Sequence, residues 1–142
     1  MNEPCVYTVC AQAHYDSAHF LANYEGKCRH VHGHRYVVEA AVRAGELDAA
    51  GIAFDFVELK REVRALADYL DHKLLNDLPE FQGVETSAEN QARWFWEELK
   101  KRLPKPQADG LWYTRVWETP TQWAMYGPVS APAPATRTAP LD

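Results

Sequence analysis

Between Cys28 and His34 the chain reads CRHVHGH, which places one thiol and three imidazoles in seven residues. His32 and His34 lie two apart, and in an extended strand such residues share a face, so both rings can reach one ion. Gly33 between them leaves the backbone uncrowded. Histidines also stand at 14, 19, 30 and 72, so five of the six precede residue 35. A third ligand has three candidates by position: His30 has the right parity, and His14 and His19 lie further back. Three ligands on one strand would spread over roughly 13 Å at about 3.3 Å per residue. A distant third histidine, His19, converges better if the first two strands pair, although spacing alone leaves a His30, His32, His34 set open. Three neutral imidazoles leave one tetrahedral position free, the pattern of a catalytic rather than a closed structural zinc site. The plain alternative is a polar strand end with solvated histidines.

Other residues offer proton chemistry. Cys28 would serve as a fourth ligand, or as a thiolate beside a cation that acts as base or acid. The commonest fate of a free cysteine is to be a small buried hydrophobe, but Lys27, Arg29 and His30 around it argue against burial. Cys5 and Cys10 have no such neighbours and read as ordinary thiols. In LDHKLLND, Asp71 can orient and charge the His72 ring, giving a second proton-transfer group, or the pair is a solvated helix end. Glu118 closes an aromatic strand, either as a rim charge or as an acceptor for paired N–H donors of a bound heterocycle.

These groups need elements to hold them. Apolar and polar residues alternate from Val6 to Tyr15, which predicts a strand, and again from His34, where Tyr36, Val38, Ala40 and Val42 oppose Arg35, Glu39 and Arg43. The contrast between faces predicts an antiparallel sheet with one side wet. A long connection, DSAHFLANYEGKCRHVHG, joins the two strands and has the length of a functional loop. Asp55 caps a helix with Leu59, Val63, Leu66 and Leu70 on its buried stripe. Thr86 or Ser87 opens a second helix, with Ala92, Phe95, Trp96, Leu99 and Leu103 inward, and Pro104 and Pro106 end it. GLWYTRVWE and QWAMYG read as two more strands. The order ββααββ predicts an α+β domain with two helices on one face of a four-stranded antiparallel sheet. A domain over residues 1–127 and a Pro/Ala/Thr-rich disordered tail over 128–142 are expected.

A chain of 142 residues buries a core without a structural metal, so a bound ion reads as functional. Fifteen Lys and Arg against twenty Asp and Glu give a formal charge of -5, with no basic block to attract nucleic acid. Neither a signal segment nor a membrane span is visible, and three cysteines make no disulfide framework, so a cytoplasmic protein is expected.

Taken in order, DSAHF, CRHVHGH, FDFVELK, LDHKLLND, SAEN and ETPTQWAMY resemble the motifs of the 6-pyruvoyl and 6-carboxy-tetrahydropterin synthase family. The resemblance implies a tunnelling fold assembled into an oligomeric barrel, such as a homohexamer, with active sites at subunit interfaces. It implies Zn2+ on His19, His32 and His34, Cys28 as catalytic thiol, Asp71 and His72 as a second proton-handling pair, and Glu118 gripping the pterin ring. The substrate it implies is 7,8-dihydroneopterin triphosphate. The three-residue spacer of CxxxHGH resembles the 6-carboxy branch of queuosine and 7-deazaguanine biosynthesis, which also releases acetaldehyde. The 6-pyruvoyl branch, or a non-catalytic pterin- or purine-binding module, are the other readings. Glu85 and Thr86 stand where the family has a Pro-containing approach, and His30 adds an imidazole inside the spacer.

Overall fold

The computed structural model describes residues 3–131. Strands β1 (Tyr7–His19) and β2 (His32–Ala44) are followed by helices α1 (Phe56–Leu70), α2 (Ala88–Arg102) and α3 (Lys105–Asp109), then strands β3 (Leu111–Thr119) and β4 (Gln122–Tyr126). The four strands form one antiparallel sheet in the order β1-β2-β3-β4. This is the expected α+β architecture and ββααββ order, with the added α3. Pro104 and Pro106 do end α2, but they also start α3, because proline is tolerated in a helix's first turn, where its missing N–H has no acceptor to serve. No helix among the described residues is long and apolar enough to cross a membrane. Residues 128–131 form a turn closed by Ala131 N–H on the Pro128 carbonyl at 2.9 Å, and the rest of the expected tail lies outside the described residues.

Capping follows the sequence signals. Asp55 accepts the Val57 N–H at 2.8 Å, and Ser87 rather than Thr86 caps α2, accepting the Asn90 N–H at 3.2 Å. Leu59, Val63, Leu66 and Leu70 of α1 are buried with Ala92, Phe95 and Leu99 of α2 against Tyr15, Tyr36, Val38 and Val116 of the sheet. Tyr15 and Tyr36 stack across the strand pair at 5.0 Å between centroids. Leu59 is fully buried in that layer, so Leu59→Ala should cost about 3 kcal/mol, read as a lower midpoint in urea at unchanged slope.

Two expectations are corrected. β1 runs four residues past Tyr15, and its pairing with β2 continues through Ser17↔His34 to His19↔His32. The inward positions there, Ser17 and His19, are buried but polar, so the apolar alternation stops before the strand does. The connecting loop is correspondingly shorter and spans residues 20–31. The second sheet face is also not simply wet. Glu39 (6% exposed) and Arg115 (1% exposed) pair across β2 and β3 at 3.0 Å. Tyr113 and Gln12 also donate to the Glu39 carboxylate, at 2.6 and 2.9 Å, and the Arg115 guanidinium lies 3.9 Å over the Trp117 ring. Hydrogen bonds and aromatic cover from neighbouring strands make that buried pair tolerable.

Candidate active site

Cross-strand pairing brings His19 opposite His32, and the period of two puts His34 on the same helix-facing side. The donor atoms of His19, His32 and His34 all lie within 4.8 Å of one another, an arrangement that can hold a metal ion. Each of the first two rings is oriented from behind. His19 Nδ1 donates to the Thr86 carbonyl and His32 Nδ1 to the His30 carbonyl, both at 2.7 Å. A carbonyl only accepts, so each bond fixes the tautomer that leaves Nε2 with its lone pair toward the cluster. His19 Nε2 and His32 Nε2 are 3.1 Å apart. The Nε2 of His34 is buried without a hydrogen-bond partner, which is what a ligand atom facing an ion position looks like.

The electrostatics favour the ligand form. Burial pushes the His19 and His34 pKa values down, and neighbouring imidazoles add to this, while Glu118 opposes it for both rings and the Thr86 hydrogen bond for His19. Neutral rings are the ones that bind metal. Glu118 lies beside the cluster, with Oε1 3.6 Å from His34 Nε2 and Oε2 3.8 Å from His19 Nε2.

Cys28 sits half-buried on a short 3-10 turn, Lys27–Arg29, and is not part of the three-imidazole donor set. Burial pushes the Tyr36 phenol up, the Gln91 side chain opposes the rise, and Glu118 and Cys28 add to it. Of the two competing histidines, His14 falls on the opposite sheet face by strand parity, and His30 contributes only its carbonyl.

The Asp71–His72 pair forms a separate group. Asp71 Oδ2 accepts from His72 Nδ1 at 2.7 Å, and its Oδ1 accepts the Asp16 N–H at 2.8 Å. The His72 N–H in turn donates to the Asp16 carbonyl at 2.6 Å, stapling the pair to β1. The Asp16 N–H and the His72 ring hold the Asp71 carboxyl below its usual range, and Asp71 raises the His72 pKa. The His72 ring is 79% exposed and borders an open groove of ≈ 470 Å³ with Asp16, Gly33, His34 and Arg35. His72 is also the one non-glycine residue with positive φ, 56°, among the described residues. A side chain held there costs roughly 1–2 kcal/mol. Replacing His72 by Gly or by Ala removes the imidazole equally, so the Gly variant should be the more stable by up to about 1 kcal/mol in urea unfolding.

A family model described as "6-pyruvoyl tetrahydropterin synthase" matches residues 8–128. The chain belongs to that family. It is 34% identical over 103 residues to the 6-pyruvoyl tetrahydrobiopterin synthase of Dictyostelium discoideum, covering 71% of this chain and 73% of that one. Over 62 residues it is 45% identical to a putative 6-carboxy-5,6,7,8-tetrahydropterin synthase of Pyrococcus horikoshii, covering 43% of this chain and 36% of that one. The structure of Caenorhabditis elegans 6-pyruvoyl tetrahydropterin synthase superimposes with a TM-score of 0.78 at 28% identity, over 90% of this chain and 99% of that one. The sheet and helices are thus those of a pterin synthase with the tunnelling fold.

Within this family member, sequence reasoning passed over two residues that support the imidazoles. Thr86 read as a helix cap, yet its carbonyl holds His19 Nδ1 and also accepts Gln91 Nε2 at 2.9 Å. Gln91, fully buried, accepts the Tyr15 hydroxyl at 2.6 Å. A glutamine on the inward stripe of α2, between Ala88 and Phe95, was the one signal available.

Proposed function

We propose that this pterin synthase is a zinc enzyme acting on 7,8-dihydroneopterin triphosphate and one water, with 6-carboxy-5,6,7,8-tetrahydropterin, acetaldehyde and triphosphate as products. The observation that carries the reading is the convergence of the His19, His32 and His34 donor atoms, with the half-buried Cys28 thiol outside the donor set. Three nitrogen donors, two with their far nitrogens held by carbonyls and one with a buried unsatisfied Nε2, suit zinc with an open position. Zinc held by His19, His32 and His34 would supply Lewis acidity to the substrate's side-chain hydroxyls and so acidify the neighbouring C–H.

The remaining steps belong to the chain's own groups. Cys28 takes or returns a carbon-bound proton, and elimination expels triphosphate. Glu118 accepts paired N–H bonds from the pterin ring, and its position beside His19 and His34 keeps a gripped ring next to the imidazoles. His72, oriented and charged by Asp71, handles the second proton. Its hydrogen bonds run to Asp71 and Asp16, and the resemblance, which implies active sites at subunit interfaces, supports a dyad serving the site of a neighbouring subunit in a homo-oligomer.

The three-residue spacer between Cys28 and His32 favours the 6-carboxy product and a place in queuosine biosynthesis. One observation favours a 6-pyruvoyl product instead: the D. discoideum relative, which covers most of this chain, carries that name. Incubating zinc-loaded protein with dihydroneopterin triphosphate and identifying the products by mass decides between them. Acetaldehyde with a 6-carboxy product supports the proposal, a 6-pyruvoyl product transfers it to the second reading, and no turnover with zinc bound and Cys28 reduced sinks both.

A further inference from the structure

The loop over residues 20–31 carries Cys28, and its first arm is held from outside by two separate devices. Phe20 N–H donates to Asn76 Oδ1 at 3.0 Å, and the Phe20 carbonyl accepts from Asn76 Nδ2 at 2.9 Å and Thr86 Oγ1 at 3.1 Å. Two residues further on, Glu85 takes over. Its Oε2 accepts the Ala22 N–H at 3.0 Å, and its Oε1 accepts the Asn23 N–H at 3.1 Å and Asn23 Nδ2 at 2.7 Å. Between the two anchor points, Leu21 donates its N–H to the carbonyl of Cys28 itself at 2.8 Å. The Cys28 backbone is therefore tied to an arm whose direction the Glu85 carboxylate sets.

Hydrogen bonding rather than packing sets that direction. An open cavity of ≈ 330 Å³ lined by Phe20, Asn23, Asn76, Phe81, Val84 and Glu85 adjoins the arm, leaving little to brace it. Glu85 has a fixed base from which to act, because its own carbonyl accepts Asn90 Nδ2 at 2.9 Å in the first turn of α2. Hydrogen bonds from N–H to a carboxylate are roughly twice as strong as neutral ones, and three converge here. The adjacent residue, Thr86, orients His19 through its carbonyl. One two-residue segment thus supports both halves of the site, Thr86 the imidazoles and Glu85 the thiol loop.

We propose that Glu85 is a positioning residue that aims Cys28 at the substrate, acting through Ala22, Asn23 and the Leu21–Cys28 hydrogen bond. This rests on the reading of Cys28 as the proton-transfer group. A thiol displaced by about 1 Å can lose on the order of 100-fold in rate while the substrate binds as before.

The test uses the zinc-loaded full chain and its Glu85→Ala and Glu85→Gln variants. In Glu85→Ala, kcat should fall at least about tenfold with KM and zinc stoichiometry unchanged. Glu85→Gln, which keeps one carbonyl acceptor, should recover part of the loss. Hydrogen exchange at the Ala22 and Asn23 amides should speed up, and alkylation of Cys28 by iodoacetamide, mapped by peptide mass to separate it from Cys5 and Cys10, should accelerate. Wild-type kcat and Cys28 alkylation in Glu85→Ala would overturn the proposal, as would zinc lost in step with activity. If the wild-type protein shows no turnover, the proposed catalytic activity fails, and the exchange and alkylation results still decide whether Glu85 holds the thiol.

Discussion

Cys28→Ala is expected to retain bound metal and to lose about 10²–10⁴-fold in turnover, the range that removal of a proton-transfer group spans. The expectation follows from where the thiol sits. It rides on the turn Lys27–Arg29, outside the donor set of three imidazoles, whose orientation depends on Thr86 and His30 carbonyls that the substitution leaves in place. Cys28 engages the rest of the loop through its backbone carbonyl, which accepts the Leu21 N–H and survives a change of side chain. The variant should therefore fold, keep the loop and bind substrate with an unchanged KM. Metal analysis alongside steady-state kinetics checks it. If metal leaves with the thiol, the site is a closed four-ligand centre, and the assignment of Cys28 to proton transfer is wrong.

Those residues differ in how far they could be read from the sequence. That His32 and His34 share a face follows from a period of two, whereas the preference for a distant His19 depended on the first two strands pairing, which they do in the register His19↔His32. The end of β1 was hidden because its last inward positions are Ser17 and His19. Burial of a polar residue depends on a partner elsewhere, here the Leu70 carbonyl that accepts Ser17 Oγ and the Thr86 carbonyl that accepts His19 Nδ1. The Glu39–Arg115 pair was hidden for the same reason. Alternation marks Glu39 as outward, and only the fold shows Tyr113 and Arg115 on the next strand closing over it. Glu85 stood out only as a departure from a motif, and Thr86 as that and as a candidate cap. What sequence pattern conveys well is which residues share a face; which carbonyl or carboxylate waits behind them is a property of contacts far apart in the chain.

His34→Ala should abolish stable metal binding, a larger loss than the roughly 10–100-fold that removing an outer hydrogen-bond partner of a ligand costs. His34 suits this test better than His19 or His32. Those rings each donate to a carbonyl, so removing either breaks a supporting hydrogen bond as well as a ligand, and lost metal becomes mixed with lost stability. The Nε2 of His34 has no such bond to lose. Burial and the two neighbouring imidazoles already push that ring toward its neutral form, so no buried charge is uncovered either. The metal-free variant should consequently melt close to the metal-free wild type. Adding zinc at about 100 times Kd should stabilise the wild type by about 2.7 kcal/mol and the variant hardly at all, because only a state that binds gains from mass action. Thermal melts with and without zinc, with bound metal counted after desalting, provide the check. Should the variant keep one equivalent of zinc and the full thermal shift, His34 is not a ligand, and its buried nitrogen serves Glu118, 3.6 Å away, instead.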